Sequence, residues 1–314
     1  MNPRVIRRAA ALLGVAATAA ALTAARKHRA RSRPALVRLE HTPGHRAGTG
    51  SPLLLLHGVS ATWRVWSPVL PHLESHHDVL APTLLGHAGA SALPPGASPS
   101  VGALADGIER ELDRAGLDAV HIAGNSLGGW VAIELARRGR AKSLVLFSPG
   151  GACRSQRRMQ ATAAAMRLGF NGLVRCAPHA EAIASRPALR TLVLCTQVAH
   201  PSRVSPDWVA ASIRALAAAP AVDGLLKALA RDQVEAMPAG QHYPIRLVWP
   251  EHDRMLPFRD FGAPMLERIP DAELIRIADV GHVPMSDRPA TVARLILEVT
   301  TAVDVEAHAT QQEG

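Results

Sequence analysis

The chain has 314 residues, of which 48% are apolar and only 3% aromatic, so Ala, Leu and Val must fill most of a globular core. Its formal net charge of +9 comes mostly from eight Arg and Lys residues before Ala35, where no acid occurs, so the rest of the chain is nearly neutral. With no basic stripe interleaved with aromatics, no zinc-finger spacing and no Walker-type glycine loop, the sequence argues against nucleic acid as a partner.

The N-terminal segment, residues 1–35, combines basic residues with an apolar stretch. Residues 9–25 form an uncharged, Ala-rich run of 17 residues. Because a spanning helix needs about 20 apolar residues, this run is typical of a signal peptide or a weak membrane anchor. Dense positive charge at 26–33 resists translocation, so we expect membrane association through residues 9–33, with the body of the protein on the cytoplasmic side. Export after signal cleavage and a leader without a role are the alternatives.

After this leader, short apolar segments alternate with segments of helical period. A first strand is expected at 35–41, followed by a turn rich in Gly and Pro at 42–52. The further strands are predicted at 53–56, 78–81, 119–123, 142–147, 245–249 and 273–277, and the helices at 66–76, 104–115, 127–138, 261–269 and 291–299. Such alternation indicates βαβ units, and it predicts an α/β fold with a mostly parallel, doubly wound sheet.

Residues 152–243 interrupt the alternation with Ala- and Arg-rich segments of helical period that are broken by several prolines. The only strand candidate within them is 192–195. The sequence therefore predicts a core formed by residues 36–151 and 244–303, with a helical cap, residues 152–243, inserted between its two parts. Residues 304–314 are expected to form a loose tail.

The strongest chemical signal is the sequence GNSLGG at 124–129, which follows the strand-like VHIAG and opens the helical WVAIELARR. Small residues two positions before and two after Ser126 allow a strand and a helix to approach closely around a strained turn. Such a turn presents the serine hydroxyl above the sheet, near a helix N-terminus that favours developing negative charge. Ser126 is therefore the predicted nucleophile.

A serine hydroxyl needs a base that takes its proton and an acid that orients the base. Asp253 and His282 come just after the last two predicted strands, and the carboxyl ends of strands are where open α/β sheets place their sites. Both follow Ser126, in the chain order Ser, Asp, His. We predict His282 as the general base and Asp253 as the orienting acid, with Glu251 and Asp279 as rival acids.

The dipeptide His57-Gly58 closes the apolar strand 53–56, and its backbone is the part that matters for chemistry. Acyl transfer develops an oxyanion, which two preorganised N–H groups must stabilise. The predicted donors are the amides of Val59, which follows His-Gly, and Leu127, which follows the nucleophile. The His57 ring is expected to brace the loop by hydrogen bonding rather than to transfer protons.

Five motifs occur in order between residues 37 and 297: LLLLHG, LLGHAGAS, AGNSLGGW, PEHD and VGHVP. Together they resemble the α/β-hydrolase superfamily. The second motif of that family usually reads D-x-x-G-x-G-x-S, whereas Thr83 replaces the Asp here and Ala88 takes the second Gly position. The resemblance implies the α/β-hydrolase fold with a helical cap after the strand 142–147. Because Ser126 stands at the elbow, it excludes relatives with an Asp nucleophile, such as epoxide hydrolases and haloalkane dehalogenases.

The resemblance and the three predicted residues indicate a serine hydrolase of the carboxylesterase or lipase type. It is expected to act on a small ester, thioester or lipid-like substrate through an acyl-enzyme on Ser126, with no cofactor and no metal ion. Other chemistries of the same triad are the alternatives, namely carbon–carbon bond hydrolysis, acyl transfer and cofactor-free haloperoxidation. A hydrolase-fold binding protein without activity is a further alternative.

Overall fold

The computed structural model of the protein describes residues 36–312. The predicted leader, residues 1–35, lies outside the described residues, and so do residues 313 and 314 of the predicted tail. The expectation of membrane association through residues 9–33 therefore stays a prediction.

The described part of the chain forms a seven-stranded sheet in the order β1-β3-β2-β4-β5-β6-β7. Its strands are β1 (Gly44–Ala47), β2 (Ser51–Leu56), β3 (His77–Pro82), β4 (Val120–Asn125), β5 (Ala141–Phe147), β6 (Ile245–Pro250) and β7 (Ala272–Ile277). Strand β1 pairs antiparallel with β3, and all other neighbours in this sheet are parallel. The chain reverses its direction across the sheet at β2, which has β3 on one side and β4 on the other. The predicted α/β class and mostly parallel sheet are confirmed.

Helices flank the sheet on both faces. In chain order they are α1 (Leu70–Leu73), α2 (Val101–Arg114), α3 (Leu127–Arg137), α4 (Gln156–Cys176), α5 (Ala180–Ala184), α6 (Pro187–Leu194), α7 (Pro206–Ala217), α8 (Val222–Leu229), α9 (Gly262–Arg268), α10 (Pro284–Asp287) and α11 (Pro289–Gln312). Short 3-10 helices occur at Trp63–Trp66, Ala177–His179 and Pro201–Arg203.

Strand β2 shows why the central strands are apolar at successive positions. Leu54 and Leu56 pack into a hydrophobic cluster that includes α2 and α3, whereas Leu53 and Leu55 pack into a second cluster that includes α11. Because successive side chains of a strand point to opposite faces, a strand covered on both faces must be apolar throughout. Because β2 and β4 to β7 pair in parallel, their carboxyl ends lie at one edge of the sheet.

The chain between β5 and β6 is helical and contains α4 to α8, and we call residues 152–243 the helical insertion. Helix α7 contacts both α4 and α5, so the insertion has internal packing of its own. The strand candidate at 192–195 is wrong, because residues up to Leu194 belong to α6. Pro187 stands in the first turn of this helix, where its fixed φ favours the helical start. A short apolar run does not by itself distinguish a strand from a buried helix.

The predicted first strand at 35–41 is wrong, because residues 36–41 form no regular element and the edge strand is β1. Strand β1 lies inside the segment predicted as a turn. It approaches β3 so closely that a Cβ on Gly44 would lie 3.0 Å from the carbonyl oxygen of Ala81. Glycine is depleted in strands, so Gly44, which permits this close pairing, also lowers the strand propensity of the segment. The sequence pattern therefore does not predict a strand there.

The predicted helix at 66–76 is replaced by a 3-10 helix, Trp63–Trp66, and the single turn α1. Proline at 68 and 71 removes two backbone donors from this stretch and prevents a longer helix. The predicted loose tail is also wrong, because α11 continues to Gln312. The carboxylate of Asp304 accepts hydrogen bonds from Ser51 and His121, at 2.6 and 3.0 Å, which hold the helix against the sheet.

Among the described helices, none is by itself both long and apolar enough to cross a membrane. Helices α7 and α8 meet that criterion only as a pair, across a bend of 79°. Both belong to the helical insertion, where Val209 and Leu225 are fully buried.

Candidate active site

Ser126 lies at the turn that joins β4 directly to α3. Its backbone has φ 56° and ψ −116°, a conformation that residues other than glycine rarely adopt. A Cβ on Gly124 would overlap the carbonyl oxygen of Gly128, and a Cβ on Gly128 would overlap that of Leu56. The turn therefore requires glycine at both positions, which is the physical reason for the spacing seen in the sequence.

Hydrogen bonds to neighbouring segments hold this strained turn in place. The N–H of Ser126 donates to the carbonyl of Phe147 at 3.0 Å. Its own carbonyl accepts from the N–H groups of Trp130 and Gly150, at 3.2 and 2.9 Å. These hydrogen bonds fix the backbone at Ser126, so the residue keeps its strained conformation and its side chain points in one direction.

His282 and Asp253 form a buried pair. Nδ1 of His282 lies 2.7 Å from Oδ2 of Asp253, and the two side chains are 3% and 0% exposed. The other carboxylate oxygen, Oδ1, accepts the N–H groups of Met255 and Leu256, at 3.0 and 2.7 Å. Three donors thus fix the carboxylate. Because Oδ2 accepts the hydrogen on Nδ1, the basic nitrogen of His282 is Nε2.

Nε2 of His282 is buried and has no hydrogen-bond partner among residues 36–312. His282 and Ser126 line the same pocket. A buried acceptor without a partner costs free energy, so this nitrogen is open to a hydrogen bond from a donor in the pocket. Hydrogen bonds between a catalytic base and its nucleophile commonly tighten only when substrate binds.

The rival acids have other surroundings. Asp279 binds Nε2 of His200 at 2.9 Å, and its side chain is 45% exposed. Glu251 is exposed. Of the three acids considered from the sequence, Asp253 is the one that contacts His282.

Asn125 was not predicted from the sequence as a functional residue, yet it connects the nucleophile turn to the histidine loop. Its Nδ2 donates to the carbonyl oxygens of His282 and Phe147, at 3.0 and 3.1 Å. The residue before Ser126 therefore fixes the backbone at His282. Its place directly before Ser126 was the signal that could have drawn attention to it.

Asp287 also holds the histidine loop, and this role was likewise not predicted. Its carboxylate accepts the N–H of Gly281, beside His282, at 2.8 Å. It also accepts the N–H groups of Ala199 and His200 in the helical insertion, at 2.9 and 3.0 Å. One carboxylate therefore binds both the insertion and the histidine loop. A lone acid five positions after the histidine does not reveal such partners.

The two predicted oxyanion donors have free amides. Among residues 36–312, we find no acceptor for the N–H of Val59 or of Leu127. Val59 lines the pocket together with Gly58 and Ser126. Leu127 is the first residue of α3, so its N–H lies at the positive end of that helix. Both amides are available to an anion formed beside Ser126.

His57 braces the loop that carries Val59, as predicted. Its Nε2 accepts the N–H of Leu84 at 2.9 Å, and its Nδ1 donates to the carbonyl of Gly58 at 2.8 Å. Burial, together with the smaller effect of the neighbouring His87, lowers the pKa of His57 to about 3. The ring is therefore neutral at physiological pH and both of its nitrogens are occupied by structural hydrogen bonds.

Thr83 anchors its loop at the position where the family usually has Asp. Its hydroxyl donates to the carbonyl of Thr42 at 3.0 Å and lies 3.5 Å from the amide nitrogen of Trp63. The neutral side chain thus connects the end of β3 to the segment before β1 and to the loop after β2. The departure from the family pattern leaves the loop anchored.

We expect the free energy of unfolding to fall as the pH drops below about 6.5, the pKa of an unperturbed histidine. Burial lowers the pKa of His57 to about 3 and that of His87 to about 4. Between these values and 6.5 the unfolded chain binds protons that the folded chain does not, so acid favours unfolding. Each histidine should cost about 2 kcal/mol between pH 6.5 and pH 5.

Urea unfolding at pH 7.5 and pH 5.0 measures this loss. The variant His87→Asn should remove about 2 kcal/mol of this loss. His72→Asn, at an exposed position, is the control for replacing a histidine. Equal stability of the unchanged protein at the two pH values would contradict the expectation.

The pocket that contains Ser126 and His282 lies between the core and the helical insertion. Its walls are mainly apolar, and the insertion contributes Phe170, Leu173, Val193, Leu194, Trp208, Val209, Ile213 and Leu216. No Asp or Glu occurs among the described residues that line it. Within residues 36–312, no group of three or more His, Cys, Asp or Glu side chains is arranged to hold a metal ion. An apolar pocket with few polar groups is typical of a small-molecule site.

Two curated proteins are similar to this chain along most of their own length. An epoxide hydrolase of Mycobacterium tuberculosis is 34% identical over 198 residues, which cover 62% of this chain and 91% of that protein. A pimeloyl-[acyl-carrier protein] methyl ester esterase of Aromatoleum aromaticum is 31% identical over 255 residues, which cover 79% of this chain and 97% of that protein. Because the two names describe different reactions, the similarity indicates a family rather than a substrate.

Among solved structures, the 2-hydroxy-6-oxo-6-phenylhexa-2,4-dienoate hydrolase of Rhodococcus sp. strain RHA1 is similar, with a TM-score of 0.65 and 18% identity. The alignment covers 85% of this chain and 99% of that one, and at this identity it shows a common fold. The sequence model of the alpha/beta hydrolase family matches residues 53–295, a span that contains Ser126, Asp253 and His282. The chain therefore belongs to the alpha/beta hydrolase family.

Proposed function

We propose that the protein is a serine hydrolase that cleaves carboxylic esters through an acyl-enzyme on Ser126. The observation that carries the proposal is the strained serine in one pocket with the buried His282–Asp253 pair, whose Nε2 has no partner among the described residues. The free amides of Val59 and Leu127 add to this support. Each group has the chemical type and the hydrogen-bond arrangement that acyl transfer requires.

In the first half-reaction, Nε2 of His282 takes the proton of the Ser126 hydroxyl while the serine oxygen attacks the ester carbonyl. The N–H groups of Val59 and Leu127 stabilise the resulting oxyanion. The carbon–oxygen bond to the alcohol then breaks, the alcohol receives the proton from His282, and the acyl group stays on Ser126. Asp253 stabilises the imidazolium that exists between these proton transfers.

In the second half-reaction, His282 takes a proton from water, and the hydroxide oxygen attacks the acyl-enzyme carbonyl. The same two amides hold the second oxyanion. When the bond to Ser126 breaks, the serine recovers its proton from His282 and the carboxylic acid leaves. Thioester hydrolysis follows the same steps with a thiol as leaving group, and acyl transfer replaces water with an alcohol.

Epoxide opening fits the elbow residue less well, although one relative is named an epoxide hydrolase. A carboxylate nucleophile opens an epoxide to an ester, which water can then hydrolyse. Ser126 would form an ether instead, and an ether offers no carbonyl for water to attack. Carbon–carbon bond hydrolysis uses a serine but must also stabilise a carbanion leaving group, which ester cleavage does not demand.

A substrate panel on the purified full-length protein tests the proposal. It contains p-nitrophenyl esters from acetate to decanoate, a thioester, an aryl epoxide and a vinylogous 1,5-diketone, each measured also with Ser126→Ala. We expect saturable turnover of at least one ester and loss of this turnover in the variant. Turnover of the epoxide or the diketone without any ester would assign another reaction, and turnover of none would favour a binding protein.

A further inference from the structure

The wall of the active-site pocket carries a positive charge that no acid in the wall balances. Arg64 lines the pocket, and the lining residues within the described chain include no Asp or Glu. A guanidinium is charged at every physiological pH. In a largely apolar cleft, an unbalanced cation raises the local potential and favours anionic ligands.

Arg64 is held in position without using its two terminal nitrogens. Its Nε donates to the carbonyl of Glu40 at 2.9 Å, and its Cζ lies 4.7 Å from the ring centroid of Trp63. Among residues 36–312, neither Nη atom has a hydrogen-bond or ion-pair partner. A guanidinium that is stacked on an indole and anchored at Nε keeps its Nη groups free as a fork for a planar oxyanion.

His41 supplies a second polar group to the same wall. Its Nδ1 is buried and has no hydrogen-bond partner in the described part of the chain. Burial lowers the pKa of His41, and the positive charges of Arg214, Arg64 and Arg38 lower it further. An anionic group bound here would provide the missing hydrogen-bond partner and reduce the repulsion among the cations.

We propose that the natural substrate carries, besides its ester, an anionic group that Arg64 and His41 bind. This inference rests on the proposed ester hydrolysis and specifies the substrate class. The group recognised is a carboxylate or a similar oxyanion, separated from the scissile carbonyl by an apolar chain that lies against the insertion. Half-esters of linear dicarboxylic acids are the simplest compounds of this class.

The test compares two series of substrates on the full-length protein. One series contains mono-p-nitrophenyl esters of linear dicarboxylic acids, and the other contains p-nitrophenyl esters of neutral monocarboxylic acids of equal chain length. The readout is the ratio of kcat/KM for the anionic ester to kcat/KM for its neutral partner. At the best chain length we expect a ratio of about 10 to 100, the effect of a charge-assisted hydrogen-bond pair.

Variants assign this ratio to a residue. Arg64→Gln should lower the ratio by about tenfold or more, and Arg64→Lys should give an intermediate value because it keeps the charge but loses the fork. Arg214→Gln is the matched control, since Arg214 influences His41 but pairs with Glu181 and does not line the pocket. It should leave most of the ratio intact. Thermal melting of each variant confirms that it is folded.

The outcomes separate the two proposals. If neutral esters are hydrolysed and no anionic ester is preferred at any chain length, ester hydrolysis stands and the anionic subsite is wrong. An unchanged ratio in Arg64→Gln, or a loss as large in Arg214→Gln, would also overturn the role of Arg64. If neither series is hydrolysed, the proposed function itself fails.

Discussion

Replacing Ser126 with Ala is expected to lower kcat on an activated ester by about a millionfold, and His282→Ala by about the same factor. The hydroxyl and the imidazole act in one step, because a serine without a base is a weak nucleophile and a base without a serine has nothing to activate. Steady-state kinetics of the single variants and of the double variant measure this dependence. The double variant should be no slower than either single variant, as is usual for residues that act as a unit.

Ser148 offers a matched control for this prediction. It is also a buried serine, with φ 44° after the end of β5, and its Oγ has no partner among the described residues. Ser148→Ala should therefore retain activity, although it changes a serine of similar burial and backbone strain. If Ser126→Ala kept more than a small fraction of the activity, or if Ser148→Ala abolished it, the nucleophile would be wrongly assigned.

Asp253→Asn is expected to lower kcat by about ten-thousandfold with little effect on the fold. An Asn amide oxygen can still accept the N–H groups of Met255 and Leu256, so the loop should keep its shape. Its NH₂ group would face Nδ1 of His282 in place of Oδ2. That nitrogen would then accept a hydrogen bond, and the proton would move to Nε2, which could no longer act as a base.

The control for this variant is Asp279→Asn, which changes an acid that binds His200 rather than His282. It should leave kcat within about threefold, because surface ion pairs contribute little to energetics. Measurement of kcat for the two variants on the same ester decides between the acids. If Asp279→Asn lost as much activity as Asp253→Asn, the orienting acid would be wrongly assigned.

Much of the sheet could be predicted from the sequence, because the central strands are buried on both faces. Such burial requires a run of consecutive apolar residues, which is visible in the sequence. Strand β2, for example, was predicted from its run of leucines, each of which packs into a cluster on one face or the other. The turn at Ser126 could be predicted for a related reason. Only glycine fits at 124 and 128, so the steric requirement appears directly in the sequence.

The contacts that join the helical insertion to the core could not be predicted in this way. Asp287 bonds to Ala199 and His200, about 90 positions away in the chain, and nothing near either end indicates the partner. Nor does the sequence show that His41 and Arg64 line the same pocket, because this depends on how the chain folds. The order of the three predicted site residues was accessible from strand positions, whereas the wall of the pocket depends on packing between distant segments.

The central claim is that Ser126 is a nucleophile activated by His282, and covalent labelling with a fluorophosphonate tests it most directly. The full-length protein is treated at neutral pH, digested, and the modified peptide is located by mass spectrometry. We predict a single phosphonyl adduct on Ser126, absent in Ser126→Ala and formed far more slowly in His282→Ala. An unmodified Ser126, or an equal yield of adduct on another serine such as Ser60 or Ser148, would contradict the claim.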